Sequence, residues 1–298
     1  MDPAVLFQTT IIPAGLFLIM MGLGLTLSID DILRIIIMPK AVITGLIGQL
    51  ILLPLVAFGL AFLMNPAPVI AIGLILLAAC PGGITSNAYV FASRGDIALS
   101  VTLTTVASLF TVFTMPLLAT MALTLFAEGS DTVSVPVSNM MRSLAQLTIL
   151  PIALGMGVRK FKPSFAEKMV EPVRKMAIGI LIMVIITNTY FSIDTLKQYM
   201  LQAGAAALIL NITCMTMGYG LARLTRLNTD QTISITYEVG LQNLSLALVL
   251  ANTLLGVADY AAVTLIYGFF MKFTALSFMA YAKKLRGKEE TAGEAASV

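Results

Sequence analysis

Residues Glu238-Val239-Gly240-Leu241-Gln242-Asn243 set a carboxylate, two side-chain amides and a glycine inside an otherwise apolar stretch. A second stretch, Cys80-Pro81-Gly82-Gly83-Ile84-Thr85-Ser86-Asn87, joins helix breakers to side chains that carry oxygen. Proline removes a backbone donor and blocks the helix, and a helix end leaves carbonyls without intrahelical partners. Several oxygens of mixed type around one negative charge suit a hard monovalent cation. Glu238 would supply the charge, with the carbonyls of Val239 and Leu241 and the amide oxygen of Gln242 completing a shell. The other reading of Glu238 is a neutral carboxyl, hydrogen-bonded to a neighbouring helix. Ser86 and Asn87 add oxygens from the first stretch, and Ser100 and Thr104, one helical turn apart, share a face. Such hydroxyls also bond back to their own helix carbonyls or pack between helices. Gln49, in an apolar run of its own, needs partners that are either a ligand or an ordinary interhelical hydrogen bond.

The elements that hold these groups are membrane helices. Of 298 residues 58% are hydrophobic and only 11% are charged, where a soluble domain carries roughly a quarter charged residues. Apolar runs long enough to cross a bilayer recur throughout. Nine spans are expected, at 8–27, 41–63, 69–92, 97–125, 140–158, 177–192, 203–222, 232–255 and 260–282, with the third and eighth interrupted. Unpaired backbone costs several kcal/mol per group in hydrocarbon, so an interruption survives only where protein encloses it. Paired interruptions in two halves of a chain point to the binding site of a secondary transporter.

Fifteen of the Lys and Arg residues follow odd-numbered spans or lie in the tail, and only Arg142 and Lys197 fall on the opposite side. That bias puts the N-terminus outside and the C-terminus in the cytoplasm of a cell inner (plasma) membrane protein. Met1-Asp2-Pro3-Ala4 lacks the basic region of a signal peptide, so the first run is expected to stay as a span. The two cysteines, Cys80 and Cys214, lie in apolar segments and predict no disulfide framework. The net charge of +3 resides in loops and the tail, so no nucleic-acid partner is expected; lipid is. Lys272, inside the last span, could snorkel, balance Glu238 or draw an anion into a cavity.

Spans three and eight run in opposite directions, and weak similarity follows each break. Asp96-Ile97-Ala98 leading to Val101-Thr102-Leu103 is echoed by Asp259-Tyr260-Ala261 leading to Val263-Thr264-Leu265. The expected organisation is a first repeat at 8–125, broken near 80–87, an inverted second repeat at 140–282, broken near 238–243, and a cytoplasmic tail at 283–298. An enzyme is not expected. The chain has no histidine, hence no HExxH motif or Ser–His pair, and Ser93-Arg94-Gly95-Asp96 departs from Gly-x-Gly-Asp at its first position.

At these residues the chain resembles the bile acid:sodium symporter family. Pro81-Gly82-Gly83 with Ser86-Asn87, Arg94-Gly95-Asp96 with Ala98-Leu99-Ser100-Val101 and Thr104, and Glu238-Val239-Gly240-Leu241-Gln242-Asn243 carry the likeness over nearly the whole chain. The resemblance implies an all-α polytopic fold of two inverted repeats, with crossed, broken helices in a core domain and a separate panel domain made here of spans one, five and six. It implies two Na+ sites, one of Ser86, Asn87, Ser100, Thr104 and Glu238, the other of Gln49, Glu238, Val239, Leu241 and Gln242. Asn87 and Asn243 would face the substrate at the crossover, with Ile84 and Thr85 beside them and Lys272 as a candidate contact. Ile84 stands where relatives often carry a polar residue, and Phe270-Met271-Lys272 where some carry Trp-His-Asn. Many bacterial members have ten spans. The function expected is sodium-coupled symport of an organic anion, such as a bile acid, a pantoate-like acid or a keto acid, by alternating access. The alternative is a proton-coupled carrier that uses Glu238.

Overall fold

The computed structural model describes residues 10–127, 136–191 and 193–296. The N-terminus, the expected start of span one at residue 8, residue 192 at the expected end of span six, and the last two residues of the tail lie outside them. The regular structure of the described residues is all helical, without strands. In chain order the helices are α1 (Ile12–Thr26), α2 (Ile29–Ile37), α3 (Pro39–Met64), α4 (Pro68–Ala78), α5 (Ile84–Ala92) and α6 (Ile97–Phe126). Then come α7 (Val137–Phe161), α8 (Pro163–Phe191), α9 (Ile193–Leu224), α10 (Thr229–Gly240), α11 (Leu244–Val249) and α12 (Ala261–Ala296).

Six described segments are long and apolar enough to cross a membrane: α3, α6, α7, α9, Thr229–Leu254 and Ala258–Gly287. α1 and α4 are apolar but shorter. α8 covers the expected sixth span but carries Glu167, Lys168, Glu171, Arg174 and Lys175 in its first half, and it is not among the six. The last helix does not stop at residue 282. It continues to Ala296, so the expected tail begins as helix.

Start signals are local and legible. Asp96 accepts from the Leu99 N–H (3.0 Å) to open α6, and Asn228 accepts from Gln231 N–H (2.8 Å) to open α10. Ser28 and Asp31 form a reciprocal capping box on α2. α3 and α7 each widen into a π turn, Gly48–Leu52 and Ala145–Ile149, shortly before Pro54 and Pro151. A proline ring collides with the carbonyl four residues back, and a wide turn relieves that collision. In α3 the widened turn carries Gln49, which is buried.

Packing places the second broken segment at the centre. All of the most apolar window within Thr229–Leu254 is buried, against 28–39% for the other five membrane-length segments. Irregular backbone there meets protein on every side, the condition under which it is tolerated at membrane depth. α1 and α7 meet through Gly24 and Gly155, where an added Cβ would lie 2.3 Å and 2.5 Å from the carbonyl oxygens of Ile152 and Met21. Only glycine permits so close an approach of two helix backbones.

Candidate functional site

The first break begins where α4 runs out of chain able to continue it. Cys80 still donates its N–H to Leu77 O (3.1 Å), but Pro81 has no N–H and Gly82-Gly83 lead on to α5. The second break follows Gly240, where Leu241 turns extended (φ −118°, ψ 110°) and Asn243 caps α11 by accepting from the Leu246 N–H at 3.2 Å. The two breaks touch: the Asn243 N–H donates to the Pro81 carbonyl at 2.9 Å. Each interruption thereby satisfies part of the other, as buried backbone requires.

Glu238 sits at this contact with 0% of its surface exposed. Its Oε1 accepts from the hydroxyls of Ser86 and Ser100, both at 2.6 Å, and its Oε2 from that of Thr104 at 2.8 Å. Three elements, α5, α6 and α10, thus converge on one carboxylate. Gly82 lets it in, since a Cβ there would lie 2.3 Å from Glu238 Oε2.

The cluster is short of positive charge. Ser86 Oγ is also 2.7 Å from the Gly83 carbonyl, and Ser100 Oγ is 2.6 Å from Asn87 Oδ1. Five short oxygen–oxygen contacts therefore share the protons of three hydroxyls, each of which has one to give. One proton added to the carboxylate makes up one of the two missing. A cation among these oxygens would satisfy several lone pairs together. The donors here are hydroxyl, carbonyl, amide and carboxylate oxygens, a set that suits a hard cation better than a soft transition metal.

The second expected set gathers on the other side of the same residue. Gln49 Nε2 donates to the backbone carbonyl of Glu238 at 3.3 Å, and Gln242 Nε2 donates to that of Val239 at 2.8 Å. Both amide oxygens, Gln49 Oε1 and Gln242 Oε1, are buried with no hydrogen-bond partner. A buried acceptor without a donor costs about 1–3 kcal/mol, so two in one neighbourhood ask for an electropositive occupant. Val239 and Leu241 are fully buried between them.

Of the expected substrate residues, Ile84, Thr85 and Asn243 line one small cavity, and Asn87 is partly buried beside the hydroxyl cluster. Lys272 is not brought into this group. It is exposed on the α12 face that also carries exposed Phe269, Phe273 and Leu276, and Glu238 takes its hydrogen bonds from hydroxyls instead. Of the three roles open to Lys272, only snorkelling from an apolar helix face fits that placement.

Other residues escaped the sequence reading. Asn211 Nδ2 (2.9 Å) and Tyr267 Oη (2.8 Å) both donate to the Gly240 carbonyl, and Thr274 donates to Asn211 Oδ1 at 2.5 Å. They hold the carbonyl that the second break releases. The available signal was an asparagine in the apolar run Leu208-Ile209-Leu210-Asn211-Ile212, of the kind that singled out Gln49. Arg174, counted only as a loop charge, lines the cavity beside Thr85 and Asn243.

Known proteins are similar to this chain over most of its length. The profile of the Sodium Bile acid symporter family matches residues 13–199. An uncharacterized sodium-dependent transporter of Bacillus subtilis is 32% identical over 79% of this chain and 71% of its own length. A probable chloroplastic sodium/metabolite cotransporter of Arabidopsis thaliana is 30% identical over 80% of this chain and 58% of its own. The hepatic sodium/bile acid cotransporter of Rattus norvegicus is 28% identical over 80% and 66%.

Proposed function

The chain belongs to the sodium bile acid symporter family, and we propose that it couples the entry of sodium to that of a small organic anion by alternating access. The family is one of secondary transporters, not of enzymes. In this reading the helices make nine crossings, with α4–α5 and α10–α11 each forming one broken span. The two halves are inverted repeats. Asp96 and Asp259 support that organisation, each standing just before the long helix that follows a broken span. Spans one, five and six form the panel and the remainder the core. The N-terminus lies outside and the C-terminus in the cytoplasm of the plasma membrane.

Two sodium ions bind on either side of Glu238. The first takes Ser86, Asn87, Ser100, Thr104 and the carboxylate; the second takes Gln49, Gln242 and the carbonyls of Glu238, Val239 and Leu241. With both in place the two breaks are locked against each other, which shapes the surface that Asn87 and Asn243 present to substrate. A charge falling through 100 mV releases about 2.3 kcal/mol, so two sodium ions with one monovalent anion make an electrogenic, concentrating cycle. The observation that carries this reading is a fully buried carboxylate whose oxygen neighbours outnumber the protons available to them.

Glu238→Ala and Gln242→Ala are expected to abolish sodium-dependent uptake and sodium-induced thermal stabilisation, while the purified proteins remain folded. Sodium dependence undiminished in both variants overturns the assignment. Uptake driven by a pH gradient without sodium would restore the proton-coupled alternative.

A further inference from the structure

Among the described residues, four of the five ion pairs lie within one helix, three or four positions apart. The fifth joins two helices: Arg286 Nη2 meets Asp230 Oδ1 at 2.6 Å. Arg286 lies on α12 beyond the expected end of the ninth span at residue 282, and Asp230 stands in the first turn of α10. The same Nη2 donates to the backbone carbonyl of Arg94, just past the end of α5. Arg94 turns the chain there in the left-handed conformation (φ +56°), which is uncommon for a residue with a side chain. One guanidinium thus holds the far ends of the two half-helices that supply Ser86 and Glu238.

These contacts close a frame. Arg94 follows Ser86 by eight residues and Glu238 follows Asp230 by eight, about 12 Å of helix at 1.5 Å per residue. At the site end, Ser86 donates to Glu238 Oε1 at 2.6 Å. At the far end, the Asp96 N–H donates to the Asp230 carbonyl at 3.1 Å, and Ser234 Oγ lies 2.9 Å from the Asp96 carbonyl. Gly95 permits this approach, since a Cβ there would lie 2.9 Å from Ile233 Cγ2 and 3.0 Å from Ser234 Oγ. Between the ends, Tyr237 Oη sits 2.8 Å from Ser93 Oγ and donates to the Ala275 carbonyl of α12 at 3.1 Å. α12 therefore braces α5 and α10 at two levels, and only the outer one carries charge. A guanidinium's rigid fork serves a carboxylate and a carbonyl together, which the point charge of an ammonium does less well.

We propose that Arg286 is a positioning residue for sodium: it clamps the far ends of α5 and α10 and so keeps Ser86 and Glu238 at the spacing the ion needs. The proposal rests on the symport reading and makes the stretch of α12 beyond residue 282 a working part of the ion site. Its partners, Asp230 and Arg94, are not sodium ligands in that reading, so Arg286 acts through the helices. Without the clamp the half-helices can splay, and fewer molecules hold the ligands assembled. Apparent affinity falls by the fraction that is lost. The two side chains of the ion pair are 25% and 52% exposed, so salt screens it.

The test titrates sodium chloride against the full chain in lipid nanodiscs, with ionic strength held constant by choline chloride, and reads the rise in Tm. Arg286→Gln and Asp230→Asn are each expected to raise the sodium concentration for half-maximal stabilisation at least about fivefold. Tm without sodium should stay within about 4 °C of wild type. The double variant should be no worse than the worse single one, because both remove one interaction. Arg286→Lys should recover part of the loss, and Lys284→Gln, which removes an exposed charge nearby, should titrate as wild type. If Arg286→Gln fails to fold, Asp230→Asn decides by the same criterion. Half-saturation within about twofold of wild type in both single variants, losses that multiply in the double variant, or an equal loss in Lys284→Gln overturns the proposal and leaves symport standing. A wild type that sodium does not stabilise at all removes both.

Discussion

The two breaks solve one problem with different chemistry. The first is made by Pro81-Gly82-Gly83, carries no charge, and leaves the helix that follows without a side-chain cap. The second contains no proline. It begins after Gly240, leads into an α11 capped by Asn243, and has its freed carbonyl held by Asn211 and Tyr267. The first thus supplies room and hydroxyls, and the second supplies a charge and keeps it in place. A buried carboxylate is costly wherever it sits, so the helix bearing it is enclosed by protein and tied down. The uncharged break can leave its donors open to a ligand.

The sharpest way to break that comparison is to fill the room the first break provides. Gly82→Ala puts a Cβ 2.3 Å from Glu238 Oε2, so carboxylate or backbone must move. Overpacking of this kind costs about 1–3 kcal/mol. The expected outcome is a lower Tm together with loss of sodium-induced stabilisation. Gly59→Ala is the control, because nothing lies within 4 Å of its added Cβ, and it should bind sodium as wild type does. A Gly82→Ala protein with normal sodium affinity would show that the first break does not shape the ion site.

Much of this division was legible in the sequence, for a physical reason. Proline, paired glycines and a glutamate are costly in an apolar helix, so each stands out against its neighbours. Glu238 stands out on that ground, Ser86 by its place beside the first break, and Ser100 and Thr104 by the face they share; the four meet. The supports of the second break were harder to read. Tyr267 and Thr274 are ordinary residues for a membrane helix, and only the fold brings them to Gly240 and Asn211. Arg174 was hidden for the opposite reason. A cation in a basic stretch reads as topology, and its place beside the cavity depends on how α8 packs. Lys272 stood out because it interrupts an apolar run, but rarity alone says nothing of direction, and it points outward.

A smaller effect sharpens the same comparison. Tyr267→Phe removes one of the two donors on the Gly240 carbonyl and leaves Asn211 in place at 2.9 Å. A net hydrogen bond is worth about 0.5–1.5 kcal/mol. If all of it is felt at the ion, sodium affinity falls by roughly two- to tenfold, as read by the sodium dependence of uptake. A loss as complete as that of Glu238→Ala would mean that the Gly240 carbonyl, not the carboxylate, organises the second break.

The smallest effect should come from the charge that looks most out of place. If the second break holds all the functional charge at this depth, removing Lys272 costs the site nothing. Its neighbours on the exposed face, Phe269 at 60% and Phe273 at 55% exposure, surround it with apolar surface rather than with partners for an anion. A lysine so placed lays its stem along that surface and lifts its ammonium towards the interface. Lys272→Gln is therefore expected to leave the KM for substrate and half-saturation by sodium within about twofold of wild type, with a stability change inside the roughly ±0.5 kcal/mol typical of surface substitutions. A selective rise in substrate KM would place the Lys272 ammonium on the anion's route and end the contrast between a charged second break and an uncharged last helix.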